Sequence, residues 1–131
     1  MKPSQDTKTI PSATIIMVRE ANNGLETFMV VRHHKIDFAS GALVFPGGKI
    51  DEQDYQMDNH CEGIKNDDPF DSAFKVGAIR EAFEESGILF ARPRGSKKLI
   101  SGSKLSELSH YRRALHSGQI AFRDFLTKEN L

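Results

Sequence analysis

The chain has 131 residues, which is room for one domain with one modest core and too little for two. Hydrophobic residues make up 38% and charged residues 27%, a balance that excludes a membrane-embedded chain and a disordered polyelectrolyte. Eighteen basic residues cancel eighteen acidic ones, so no net field draws the chain to nucleic acid or to a membrane surface, neither is expected as a partner, and any anionic ligand must be held by local groups.

Residues 1–12 read as a loose polar arm. The apolar run that follows, 13–18 with Thr14 as its exception, is too short for a signal-peptide core or a membrane span. Cys61 stands alone, which rules out an internal disulfide and suits a reducing compartment, so the expected location is cytoplasmic. Ala13-Thr14-Ile15-Ile16-Met17-Val18-Arg19 has the β-branched content and length of a buried strand. Asn22-Asn23-Gly24 tolerates positive φ and closes a turn, after which Thr27-Phe28-Met29-Val30-Val31-Arg32 returns as the second arm of an antiparallel hairpin.

A polar connection at 33–41 leads to a short strand, Ala42-Leu43-Val44-Phe45, ended by Pro46-Gly47-Gly48, where the chain is expected to bend. Between 51 and 71 eight acidic residues (51, 52, 54, 58, 62, 67, 68 and 71) face one basic residue, Lys65, the composition of a solvated loop. His60 and Cys61 are neighbours there, but one histidine and one cysteine do not make a zinc site.

Asp71 or Ser72 can cap a helix that runs to about Ser86, with Gly87 placed to end it in the left-handed conformation. Val76, Ile79, Ala82 and Phe83 recur at three- and four-residue spacing and give that helix an apolar face to lay on a sheet. Ile88-Leu89-Phe90-Ala91 reads as a further strand, broken by Arg92-Pro93-Arg94-Gly95. Leu105, Leu108, Arg112 and Leu115 mark a helix from near Ser103, stopped at Gly118 before a last helical piece at 121–128.

Glu81, Glu84 and Glu85 are three and four positions apart, so on a helix their side chains emerge as one cluster. Like charges at that spacing cost roughly 0.2–0.5 kcal/mol per pair, and carboxylates in the last turns also face the negative end of the helix dipole. A divalent cation resolves the conflict, since magnesium takes a few carboxylate oxygens and leaves its other positions to water and phosphate. Gly77, one turn before Glu81, would leave the surface low enough for a ligand, and Arg80 can orient Glu84 one turn on. A bare Glu-x-x-Glu-Glu pattern is more often only a solvated helix face, so the surrounding residues decide.

Those residues are specific. Arg80-Glu81-Ala82-Phe83-Glu84-Glu85-Ser86-Gly87, followed by Ile88, resembles the second part of the Nudix box, and Phe45-Pro46-Gly47-Gly48-Lys49-Ile50-Asp51 resembles its glycine-rich opening. Two departures stand out. Asp54 occupies the position, six after Gly48, where the box has glutamate, and 32 positions separate Gly48 from Arg80, more than an uninterrupted box allows. The excess is an insertion at about 51–71, at a place where loop-closure entropy grows slowly with length. Such a split box is similar to that of peroxisomal coenzyme A diphosphatases.

The resemblance implies an α/β fold, a Nudix-type α/β/α sandwich around a mixed sheet, with 13–131 as its N-terminal portion and the C-terminal strands and helix missing. The core would then be completed by more chain or by another molecule, a homodimer being one form of this. It implies Mg2+ or Mn2+ held by Glu81, Glu84, Glu85 and the backbone carbonyl of Gly47 or Gly48. Glu81, Glu85 and Arg80 would be the catalytic residues, with Arg32, Gly47, Gly48 and Lys49 binding substrate. His33, His34 and Lys35 are further candidates for phosphate. The implied substrate is a small-molecule diphosphate, foremost coenzyme A, an acyl-coenzyme A or a related nucleoside diphosphate derivative. The rivals are an ADP-ribose, nucleotide-sugar or nucleoside triphosphate pyrophosphatase and, from another class, a truncated module that binds ligand without turnover.

Overall fold

The computed structural model describes residues 8–32, 40–57 and 59–131. His33, His34, Lys35, Asp58 and the first seven residues lie outside the described residues. Among the described residues six strands, β1 (Ser12–Thr14), β2 (Val18–Ala21), β3 (Gly24–Thr27), β4 (Val30–Val31), β5 (Leu43–Val44) and β6 (Gly47–Lys49), are followed by four α-helices. The helices are α1 (Pro69–Ser86), α2 (Gly102–Leu108), α3 (Tyr111–His116) and α4 (Phe122–Lys128).

Among the described residues the strands pair as three antiparallel ladders, β1 with β6, β2 with β3 and β4 with β5. The hairpin at Asn22-Asn23 forms as expected, with Ala21 opposite Gly24 and Gly24 at φ 121°, a conformation that favours glycine. Two expected strands are each divided. The run 13–19 breaks at 15–17, and the run 27–32 breaks at 28–29. Each break is a change of partner: the Ile15 N–H bonds the Pro46 carbonyl at 2.9 Å, while the Phe28 N–H bonds the Met17 carbonyl at 2.9 Å.

The chain bends at Pro46, as expected, but the two glycines after it are extended. Gly47, Gly48 and Lys49 form a strand whose partners are Thr14, Ala13 and Ser12. A Cβ on Gly47 would strike the Ala13 carbonyl and the Thr14 backbone, so glycine here permits close approach of two strands and not a turn. Ordered pairing also reaches into the stretch read as an arm, since the Ile50 N–H bonds the Pro11 carbonyl at 3.0 Å.

α1 starts earlier than expected because Asp68, not Asp71 or Ser72, is its cap: the Asp68 carboxylate accepts the Phe70 N–H at 2.8 Å and Pro69 occupies the first turn. Gly87 ends it at φ 78°, donating its N–H to the Phe83 carbonyl at 2.8 Å. The single helix expected from Ser103 is two, divided at Ser109-His110, and Ser101 caps the first by accepting the Lys104 N–H at 3.2 Å. Residues 88–91 form no strand among the described residues. An extended run becomes a strand only beside a partner ladder.

The core lies between α1 and the helices that follow it. Val76 and Phe83 of α1 meet Leu108 of α2, Tyr111 and Leu115 of α3, and Phe122, Phe125 and Leu126 of α4. Phe83 stacks on Phe125 with ring centroids 5.3 Å apart and planes 6° from parallel. The stretch 51–71 is not simply a solvated loop. It forms a 3₁₀ helix, Glu52–Gln56, and places Met57 and Ile64 in the core. Its acidic residues determine the composition, but two well-spaced apolar side chains determine its path, each burial contributing about 1.5–3 kcal/mol. No helix among the described residues is long and apolar enough to cross a membrane.

Candidate functional site

The last two turns of α1 bring Arg80, Glu81, Glu84 and Glu85 against β6 and the 3₁₀ helix. Arg80 is the hub, 2% exposed. Its Nε and Nη2 donate to the two oxygens of Asp54 at 3.0 Å each, and Nη2 also donates to the Lys49 carbonyl at 2.9 Å. Nη1 donates to Oε1 of Glu81 at 3.0 Å and to Oε1 of Glu84 at 3.2 Å. Burial alone would lower the pKa of this guanidinium, but the hydrogen bonds and charge of Asp54, with the charges of Glu81 and Glu84, outweigh it and raise the pKa.

Asp54, 1% exposed, is the residue whose role sequence reasoning left open. Its Oδ2 also accepts the Asp51 N–H at 2.9 Å, so one carboxylate both closes the 3₁₀ helix and forks onto Arg80. The only signal was its place six positions after Gly48. Gly77 needs a correction: its bare Cα does not leave a low surface for a ligand. A Cβ there would lie 2.7 Å from Ile50 Cδ1 and 3.0 Å from Asp54 Oδ2, so those two side chains already fill the space.

The glycines of β6 serve the glutamates directly. A Cβ on Gly48 would overlap the Glu81 carboxylate, and the Gly47 N–H donates to Oε2 of Glu85 at 3.2 Å. Burial raises the pKa of Glu81, with Arg80 opposing and Glu84 adding to the rise. Burial likewise raises that of Glu85, opposed by the Gly47 N–H and the charge of Arg32 and reinforced by Glu84. Oε2 of Glu84 lies 3.7 Å from Nδ1 of His116, whose side chain is 80% exposed.

Of the residues singled out from the sequence, the structure thus brings together Gly47, Gly48, Arg80, Glu81, Glu84 and Glu85, with the Arg32 charge acting on Glu85. Lys49 joins through its carbonyl while its residue is exposed. At the other candidate pair, His60 Nδ1 lies 3.0 Å from Arg94 Nη2, and Cys61 packs against the core.

Among the described residues no three acidic, histidine or cysteine side chains already converge as a ligand cage. Oε1 of Glu81 and of Glu84 face Arg80, and Oε2 of Glu85 faces Gly47. The donor set nevertheless fits a divalent cation in kind. It is all oxygen and anionic, as hard ions such as Mg2+ and Mn2+ require, and the Glu84 charge adds to the rise that burial gives the pKa values of Glu81 and Glu85.

No protein-family model matches the chain. Among solved structures it is similar to a NUDIX hydrolase from Alicyclobacillus acidocaldarius, with a TM-score of 0.60 and 27% identity over 95% of this chain and 56% of that one. The chain therefore spans little more than half the length of the structure it matches. Because the likeness runs through nearly all of this chain, its strands, α1 and later helices match the Nudix-type α/β fold of that structure, over part of its length.

Proposed function

We propose that the chain carries the catalytic centre of a divalent-metal-dependent hydrolase of diphosphate linkages. The observation that carries the reading is the placement of Glu81, Glu84 and Glu85 at one end of α1, with Glu81 against Gly48 and Glu85 on the Gly47 N–H. The likeness to a NUDIX hydrolase supports it. Glu81, Glu84 and Glu85, with the Gly48 backbone, would hold Mg2+ or Mn2+. Such an ion would neutralise diphosphate oxygens and acidify the attacking water.

The chain's own residues prepare that chemistry. Arg80 restrains Glu81 and Glu84 through one nitrogen and is itself locked by Asp54, which makes it a positioning residue in this reading and not one that touches substrate. The Gly47 N–H restrains Glu85, and the bare Gly48 lets Glu81 approach β6. Arg32, whose charge reaches Glu85, would meet an anionic substrate in this reading. For the substrate we propose coenzyme A, an acyl-coenzyme A or a related nucleoside diphosphate derivative, on the strength of the insertion between Gly48 and Arg80.

The test is release of a mononucleotide from coenzyme A, ADP-ribose and dinucleotide substrates with Mg2+ or Mn2+ present, for the parent and for Glu85→Gln. Glutamine keeps an oxygen for the Gly47 N–H but removes the charge, so turnover should be abolished while the thermal midpoint changes little. Unchanged turnover would show that the metal site is assigned to the wrong residues.

A further inference from the structure

We propose that Arg112 is a positioning residue for the glutamate cluster, acting on it from α3 through the backbone of α1; this rests on the metal-site reading above. α1 has no basic residue in its last turn, so its final carbonyls and the negative end of its dipole lack a cation within the helix itself. Arg112 supplies one from elsewhere in the chain. Its Nη2 donates to the Glu85 carbonyl at 2.7 Å and its Nε to the Glu84 carbonyl at 3.1 Å.

These two carbonyls belong to the peptide planes on either side of the Glu85 Cα. Holding both planes fixes φ and ψ of Glu85, and with them the direction in which its carboxylate leaves the helix. The guanidinium lies beside Gly87, where an added Cβ would come 3.6 Å from Nη1. The base of this clamp is firm, because Tyr111 and Leu115 of α3 are buried in the core and the Tyr111 hydroxyl donates to Glu129 at 2.7 Å. One turn beyond Arg112, His116 faces Glu84, so the same side of α3 meets both residues. α1 is already anchored by its Asp68 cap and its apolar face, so the clamp adds aim where the fold has other support.

The experiment is titration with Mn2+ alone, following free ion by electron paramagnetic resonance, with circular dichroism to verify the fold. Arg112→Ala should weaken Mn2+ binding on the order of tenfold, as loss of a residue that orients a metal ligand does. Arg112→Lys keeps the charge but offers one nitrogen for two carbonyls, and should fall between parent and alanine variant. Ser101→Ala removes the cap of α2, and should lower the melting temperature without changing Mn2+ affinity. A folded Arg112→Ala binding within about twofold of the parent overturns the inference, as does an equal loss in Ser101→Ala. If Arg112→Ala does not fold, Arg112→Lys decides by the same criterion. A parent that binds no Mn2+ sinks the metal-site reading, and this inference with it.

Discussion

The helical and strand regions of this molecule bury their apolar residues to very different degrees. Phe83, Phe122 and Phe125 are almost wholly enclosed between α1 and α4, whereas Val18, Leu25, Val31 and Leu43 on β2 to β5 are all more than half exposed. Both regions are rich in apolar residues, so composition does not separate them. The difference lies in cover. α1 is covered on two sides, by the C-terminal helices and by β6 with the 3₁₀ helix, while β2 to β5 are held mainly by backbone pairing. The glutamate cluster sits at the end of the covered element, and its geometry depends on that packing.

Ion pairs separate the two regions most sharply. Asp54→Ala would strip the buried Arg80 of its bidentate partner and release the 3₁₀ helix, and should cost about 3–5 kcal/mol in urea denaturation. In the hairpin, Arg19 and Glu26 lie 2.7 Å apart but exposed, and Glu26→Ala should cost under about 1 kcal/mol. Comparable losses from the two substitutions would mean that the Arg80 network is open to water. Apolar truncations give the same contrast. Phe83→Ala should cost about 3–5 kcal/mol by opening a cavity against Phe125. Leu25→Ala should stay within about 0.5 kcal/mol, and a larger loss would reveal a cover over β3.

A smaller effect tests whether the segment 51–71 belongs to the helical region. Ala121 gives α4 no side-chain cap, and Gln53 of the 3₁₀ helix accepts the Phe122 N–H at 2.8 Å in its place. Gln53→Ala should therefore lower stability by about 1 kcal/mol, the loss typical of a helix cap. An unchanged denaturation midpoint would show that the Gln53 contact does not act as a cap for α4.

What could be read from the sequence follows from how local each cause is. The body of α1 and its left-handed end at Gly87 depend on spacings of a few residues, and they stand where the pattern placed them. The hairpin turn at Asn22-Asn23 is local in the same way. Where β1 gives way to β2 depends on which distant strand lies alongside, and no residue in 15–17 encodes that. The motif implied that Gly47 and Gly48 approach the helix, but only packing shows that they do so from within a strand. Asp54 and Arg80 are 26 positions apart, and the Arg112 contacts to α1 span 27 and 28, separations over which neither periodicity nor composition carries a signal. Met57 and Ile64 were hidden by the opposite problem, a charged neighbourhood that dominates any local average.

The smallest expected effect lies at the base of α3 and is electrostatic. The Tyr111 hydroxyl is the largest influence holding the Glu129 carboxylate below its ordinary pKa; Lys104, 3.2 Å away, adds to the shift while burial opposes it. A carboxylate whose folded pKa is depressed binds fewer protons than its unfolded counterpart between the two values, so stability rises with pH across that window. The contribution is complete above the ordinary glutamate range and is lost as pH falls through the lower folded value. Glu129→Gln keeps an acceptor for Tyr111 but loses the charge. The gap in urea midpoint between parent and variant should therefore be largest near neutral pH, shrink below the ordinary glutamate pKa, and close once Glu129 is protonated in the folded protein. A gap that stays constant down to that point would show that Glu129 holds α3 by shape and hydrogen bonding alone. Its charge would then contribute nothing to the platform from which Arg112 reaches α1.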